Sequence, residues 1–306
     1  MTSIPVLPVA PVKVKRWLQI LSAGFLATAA QAGGPLSPCG PSTQHMPARA
    51  SQAPGALDFM AAVAGLGDQE RDTAIRHELL SGNLPPFLRK AWPATLNASR
   101  PDGRPVQLTL CVLADYLGIG SDSDFLLVPM GLDSALAVAS TFGFMLPTRR
   151  IVDLIYRVAE VHLRPQPLPA SERMRSTAYL QAHGALVAQQ RAALGAAPGA
   201  LTAGHKKDLV LTERLWQQTG RVAIYGWQRA DGSPIQPLST VHGARYADYS
   251  HGVRLVSLTM FIDGSAAQLL DVLADAELGP LLSDEGPLTR ASDWLALRAA
   301  SGDGGY

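Results

Sequence analysis

Arg221–Phe261 reads RVAIYGWQRADGSPIQPLSTVHGARYADYSHGVRLVSLTMF. Arg221–Trp227, Ile235–Val241 and Val253–Phe261 are runs rich in β-branched and aromatic residues, the composition of strands. Ala230-Asp231-Gly232-Ser233 separates the first two, and its Asp-Gly pair marks a tight hairpin turn. Leu209–Leu211 adds a shorter run of the same kind. The C-terminal third therefore reads as a sheet.

The preceding sequence is mostly helical. Ala56–Leu80 carries apolar residues at helical spacing, interrupted by Gly65 and Gly67. It predicts two helices, the second from about Gln69 to Leu80 and ended by Ser81-Gly82-Asn83. Asp133 is placed to cap a helix over Ser134–Phe142, and Pro147 to open one running through Tyr156. Ser176–Ala193 reads as a strong helix and Ala266–Ala276 as a short amphipathic one. Val106–Leu113 and Asp124–Val128 read as strands. Helices and strands come in runs rather than in regular alternation. The expected fold is α+β, with an N-terminal helical part packed on a mixed or antiparallel sheet formed largely by the C-terminal third.

Residues 1–32 have the pattern of a signal peptide. Lys13, Lys15 and Arg16 precede an apolar stretch, Trp17–Ala29, and Ala30-Gln31-Ala32 fits a cleavage site. The stretch falls short of the roughly 20 residues that span a bilayer. The expectation is an exported protein, periplasmic or secreted, with no transmembrane helix in the mature chain. Residues 33–54, rich in Pro, Ser, Gly and Ala, read as a flexible leader. Residues 55–306 read as one globular α+β domain. Pro165, Pro167 and Pro169 stiffen a connector near 164–171, where a subdomain boundary is expected. Arginine and alanine far outnumber lysine, as in a GC-rich bacterial genome. The net charge of +1 leaves no electrostatic footprint for nucleic acid. The two cysteines, Cys39 and Cys111, are expected to pair once exported, stapling the N-terminal tail onto a central strand.

The densest chemistry lies between two His-Gly pairs, His242-Gly243 and His251-Gly252. Around them stand Arg245, Tyr246, Asp248, Tyr249, Ser250 and Arg254. A histidine serves as general base near neutral pH, and a carboxylate such as Asp248 fixes its tautomer. Ser250 beside such a base is the recipe for an activated nucleophile. Adjacent residues on a strand point opposite ways, however, so Ser250 and His251 cooperate only if the backbone turns. Gly204-His205-Lys206-Lys207-Asp208 holds two of the five lysines, and Lys206 or His205 is placed to stabilise developing charge. Tyr246, Tyr249, Trp227 and Arg254 suit a sugar ring or an aromatic ligand. No cofactor is required by this set. The alternative is zinc, held by His205, Asp208, His242 and His251, although their spacing matches no compact zinc motif. Gly120-Ser121-Asp122-Ser123-Asp124 hints at calcium but lacks the glycine and distal glutamate of an EF-hand; a strand-capping turn is the plainer account.

The order His-Gly, then Ser-His-Gly, then Arg-Leu resembles the catalytic signature of L,D-transpeptidases, which remodel bacterial cell walls. In that signature Ser-His-Gly is followed by Cys-[Ile/Val]-Arg. Here Gly252 is followed directly by Val253-Arg254, so the nucleophilic cysteine is absent. The resemblance covers about a dozen residues and transfers no nucleophile.

Two functions follow as expectations. One is an exported bacterial hydrolase acting on a small molecule or polymer outside the cytoplasm, such as cell-wall peptide or glycan. His242 and His251 would be its acid-base pair, Asp248 the orienting group and Ser250 a nucleophile. The other is a non-catalytic exported binding or scaffold protein, in which the same cluster forms a ligand pocket or a hydrogen-bonded network. Oligomeric state is not legible.

Overall fold

The computed structural model describes residues 37–296. The signal peptide expected at 1–32, the first residues of the expected leader and the residues beyond 296 lie outside the described residues. The strands are β1 (Ala91–Ser99), β2 (Pro105–Leu113), β3 (Gly118–Gly120), β4 (Phe125–Leu127), β5 (Phe144–Met145), β6 (Val161–His162), β7 (Thr202–Ala203), β8 (Lys207–Leu209), β9 (Ile224–Gln228), β10 (Pro234–Ser239), β11 (His251–Gly252), β12 (Val256–Ile262) and β13 (Ser265–Gln268). The helices are α1 (Ala56–Ala62), α2 (Asp68–Leu80), α3 (Leu132–Phe142), α4 (Arg149–Val158), α5 (Thr177–Ala193), α6 (Arg214–Gln217), α7 (Leu269–Ala274), α8 (Gly279–Leu282) and α9 (Asp293–Ala296). Helices dominate the N-terminal part and strands the C-terminal part, a mixed α+β architecture.

The larger sheet runs β1-β2-β12-β13, antiparallel, with β5 also paired to β12. A smaller sheet runs β10-β9-β8-β11 and is mixed, because β11 lies parallel to β8. Leu108, Leu110 and Val112 of β2 and Val256 and Met260 of β12 are buried against α3 and α4, whose Val138, Phe142, Ile151 and Ile155 fill the same core. Burying these side chains contributes roughly 1.5–3 kcal/mol each.

β1 is not apparent from sequence periodicity. It contains Pro93, and it forms because the β1–β2 hairpin is in register from Ala91↔Leu113 to Ser99↔Pro105. Cys39 and Cys111 form a disulfide packed with Ala91 beside Phe261. Residues 37–54, expected to be a flexible leader, carry a 3-10 turn at Gly40–Thr43 and bury Cys39 and Met46.

Helix boundaries differ from expectation for physical reasons. Asp133 does not cap α3. The cap is Gly131, whose N–H donates to Asp72 of α2, as does the Ser134 hydroxyl. Pro147 does not open α4; Thr148 is its cap, accepting from the Ile151 N–H. The segment expected to be helical from Ala266 first forms β13, and α7 begins only at Leu269. Asp263 and Gly264, both at positive φ, turn the chain back so that Ser265 pairs with Ile262. The Asp122 and Asp124 carboxylates accept from the backbone N–H groups of Phe87 and Leu57, so this loop braces two helical turns. No helix among the described residues is long and apolar enough to cross a membrane.

Candidate functional site

β8 joins the two polar segments. It lies between β9 and β11, with His251 opposite Lys207 on one side and Gly226 opposite Lys207 on the other. The Lys207 N–H donates to the Ser250 carbonyl at 2.8 Å, fixing this register. Alternate residues along β8 point to opposite faces, so Lys207 shares a face with His251 while Asp208 takes the other, where Lys206, just before β8, packs against Gly252.

On the first face, His251 is fully buried and neither ring nitrogen has a hydrogen-bond partner among the described residues. Its Nε2 lies 3.9 Å from Asp248 Oδ2. Asp248 accepts from the Ser250 N–H at 2.8 Å, from the Ser250 hydroxyl at 2.5 Å and from the Tyr246 hydroxyl at 3.1 Å. The half-buried His242 ring stacks on Tyr246 at 4.1 Å, with ring centroids 6.1 Å from His251. Lys207 Nζ sits 5.0 Å over the Trp227 ring. Trp227 has φ 58°, a left-handed conformation that is strained for a side chain of this size. Burial lowers His251 to about 4, with Asp248 opposing, so its ring is neutral at pH 7. Burial also lowers His242. Burial, then the Asp248 charge, pushes Tyr246 up to about 12, leaving it a hydrogen-bond donor.

The second face is a packed polar network. Gly252 makes room for it: a Cβ there would lie 2.6 Å from Tyr116 Cδ1 and 2.8 Å from Lys206 Cβ. The Tyr116 hydroxyl donates to Asp208 at 2.9 Å. Arg254 donates to the carbonyls of Leu113 and Thr202 and lies 4.2 Å over the Tyr116 ring. Lys206 Nζ donates to the Tyr249 carbonyl at 2.5 Å and lies 3.3 Å from His183 Nδ1. Burial lowers Lys206 to about 7, against the pull of Asp248 and Asp115. His205 Nε2 lies 3.3 Å from Asp115 Oδ1 without hydrogen-bond geometry, and burial lowers the imidazole below its ordinary value, with Asp115 opposing. Arg191 pairs with the other oxygen of the same carboxylate. Burial alone would raise Asp115, but His205, Arg191 and Arg254 hold it well below the usual carboxylate range.

Asp208 behaves in the opposite sense. Burial pushes it up to about 7, with Arg254 and the Tyr116 hydroxyl opposing. Its folded value exceeds its unfolded value, so the folded state holds an extra proton between about pH 4 and 7, and stability falls as pH rises through that window. The shift of about 3 units corresponds to up to ~4 kcal/mol. Asp208→Asn keeps an acceptor for Tyr116 and removes the titration. The variant is expected to match the parent near pH 4 and to exceed it by several kcal/mol at pH 8, read by urea unfolding. A pH-independent difference between the two would contradict this assignment.

The structure thus brings His242, Tyr246, Asp248 and His251 together. Trp227 lies under Lys207 on the same face, and the other expected residues are turned elsewhere. The Ser250 hydroxyl is directed to Asp248 rather than to His251. Lys206 occupies the opposite face, and His205 lies beside Asp115 and the Tyr116 ring. Tyr249 is buried, with its hydroxyl engaging the backbone of Leu168, and Arg254 is an internal strut. Among the described residues no three His, Cys, Asp or Glu side chains converge as a metal site. The proposed zinc ligands are divided between faces, with Asp208 held by Tyr116 and His205 beside Asp115. Lys207, not Lys206, stands beside His251. Strand parity is the signal that separates the two lysines, and it is readable only once the pairing of β8 with β11 is known. Comparison with protein-family models, curated proteins and solved structures finds no match.

Proposed function

We propose that this chain is an exported hydrolase whose working face is His251, Asp248, His242, Tyr246 and Lys207. The observation that carries the reading is His251, a buried imidazole with neither nitrogen hydrogen-bonded among the described residues. Buried polar groups are nearly always satisfied, so one left without a partner calls for an explanation, and a catalytic role is one. The strained Trp227 under Lys207 points to the same place. Asp248 faces Nε2, which leaves Nδ1 as the base. In the proposed reaction Nδ1 takes a proton from water as the water oxygen bonds to a carbonyl carbon. That proton then passes to the leaving group as the scissile bond breaks. Ser250 is not given the nucleophile's role, because its proton is committed to Asp248. Lys207 supplies positive potential for developing negative charge.

Export rests on the pattern of residues 1–32 and agrees with the disulfide, a bond of oxidising compartments. A cell-wall peptide or another extracytoplasmic polymer is the substrate class in view. Incubating the purified chain with peptidoglycan fragments and with model acyl esters tests the reading. Release of a new carboxylate is expected, reduced about tenfold or more in Lys207→Ala; failure to release one from any of these substrates would overturn it. The non-catalytic alternative draws on Asp248, which already accepts three hydrogen bonds from within the chain. It predicts binding of the same fragments without turnover.

A further inference from the structure

His251 has no exposed surface, so a substrate reaches its Nδ1 only if something moves. The two rings that pack on it, His242 and Tyr246, are each part-exposed and stand between it and solvent. They stack on one another with centroids 4.1 Å apart and planes 7° from parallel. The Tyr246 ring meets the His251 ring in a T-shape, with centroids 5.6 Å apart.

The outer side of Tyr246 belongs to a different space. With Ala170, Ser171, Glu172, Met174 and Arg175 it lines an open depression of about 530 Å³. That volume is of the order that holds a small molecule. The Arg175 guanidinium lies 5.9 Å over the Tyr246 ring and is itself held by Asp68 at 2.6 Å. Tyr246 is thus the residue shared by the depression and the enclosure of His251.

The backbone around it is pinned. The His242 carbonyl accepts from the Val222 N–H, the Ala244 N–H donates to the Gly220 carbonyl, and the Ala244 carbonyl accepts from the Leu132 N–H. The movable part is therefore the Tyr246 side chain rather than the loop. Its one hydrogen bond among the described residues runs from the hydroxyl to Asp248 at 3.1 Å. That is slightly long for an O–H···O bond, so it can be released at small cost.

We propose that Tyr246 is a gate: its ring closes His251 off from the depression, its hydroxyl on Asp248 is the latch, and rotation of the ring admits substrate from the depression. Gating of this kind is a common use of mobile groups over a reaction centre. The proposal rests on His251 being the base of the hydrolase, but its test needs no turnover.

The test is the rate at which diethylpyrocarbonate acylates each histidine of the full chain at pH 7, read by mass spectrometry. Both His251 nitrogens lack hydrogen bonds among the described residues and the ring is neutral, so its rate reports access. In the parent, His251 is expected to react at least tenfold more slowly than the exposed His77. Tyr246→Ala is expected to speed His251 at least tenfold, and Tyr246→Phe, which loses only the latch, at least threefold. His183 and His205, fully buried against Tyr249 and Tyr116, should not change. Ala170→Trp, at an exposed position in the depression, should slow His251 in the Tyr246→Ala background at least threefold. Parent His251 as reactive as His77, a rate unchanged by both Tyr246 substitutions, or an unchanged rate on adding Ala170→Trp would each overturn the proposal. If Tyr246→Ala unfolds, shown by equal acceleration of His183 and His205, Tyr246→Phe decides alone. These rates without any hydrolysis would refute the reaction and leave the gate; hydrolysis with unchanged rates would do the reverse.

Discussion

His251→Ala is expected to leave the chain folded and to lower turnover by about 10²–10⁴-fold, the range that a positioned acid-base group supplies. The imidazole gives up no hydrogen bond when it is removed, because neither nitrogen has a partner among the described residues. The structural cost is then lost packing, about 1–3 kcal/mol. Ser250→Ala separates the two possible nucleophiles. Its hydroxyl donates to Asp248, so its loss should lower stability modestly and leave most of the turnover. A serine nucleophile would instead make the two variants equally inactive. The pH profile gives a third reading: burial lowers His251 to about 4, so turnover should rise through that pH as the ring loses its proton and becomes a base.

Replacing both cysteines by serine is expected to lower stability by about 4 kcal/mol. The bond closes a loop between residues 72 positions apart, and loop-closure entropy removed from the unfolded chain has that order. For a domain of this size the loss corresponds to roughly 10 °C in Tm. The damage should be concentrated at the edge of the larger sheet. Cys39 is what fastens residues 37–54 to β2, and its only buried companions in that cluster are Ala91 and Cys111. Hydrogen exchange should therefore show β1 opening first. A Tm unchanged in the double serine variant would mean that the leader is held by Met46, and by Thr43 through its bond to the Arg89 carbonyl, without the disulfide.

The sequence was most legible where pattern and turn chemistry agree. The Asp231-Gly232 hairpin between β9 and β10, the long α5 with its Ser176 cap, and the Cys39–Cys111 pair all follow from local rules. It was least legible where tertiary pairing overrides local signals. β1 carries Pro93 and depends on its partner β2, and β13 depends on the turn at Asp263-Gly264. The candidate site follows the same division. The density of polar residues between His242 and Arg254 and at Gly204–Asp208 is visible in the sequence, and β8 and β11 place the two segments side by side. Which face each side chain takes is not visible, because one residue of register exchanges Lys206 for Lys207. Nor can sequence show that Asp248 accepts from Ser250 and Tyr246 while His251 is left without a hydrogen-bond partner among the described residues.

The most direct test of the His251 assignment is hydrolysis of peptidoglycan-derived peptides or a model acyl ester in oxygen-18 water, followed by mass spectrometry of the products. The parent is expected to place one oxygen-18 atom in each newly released carboxylate with no acyl adduct on the protein, and His251→Ala to release almost none. An acyl adduct on Ser250, or undiminished labelled product from His251→Ala, would contradict the account.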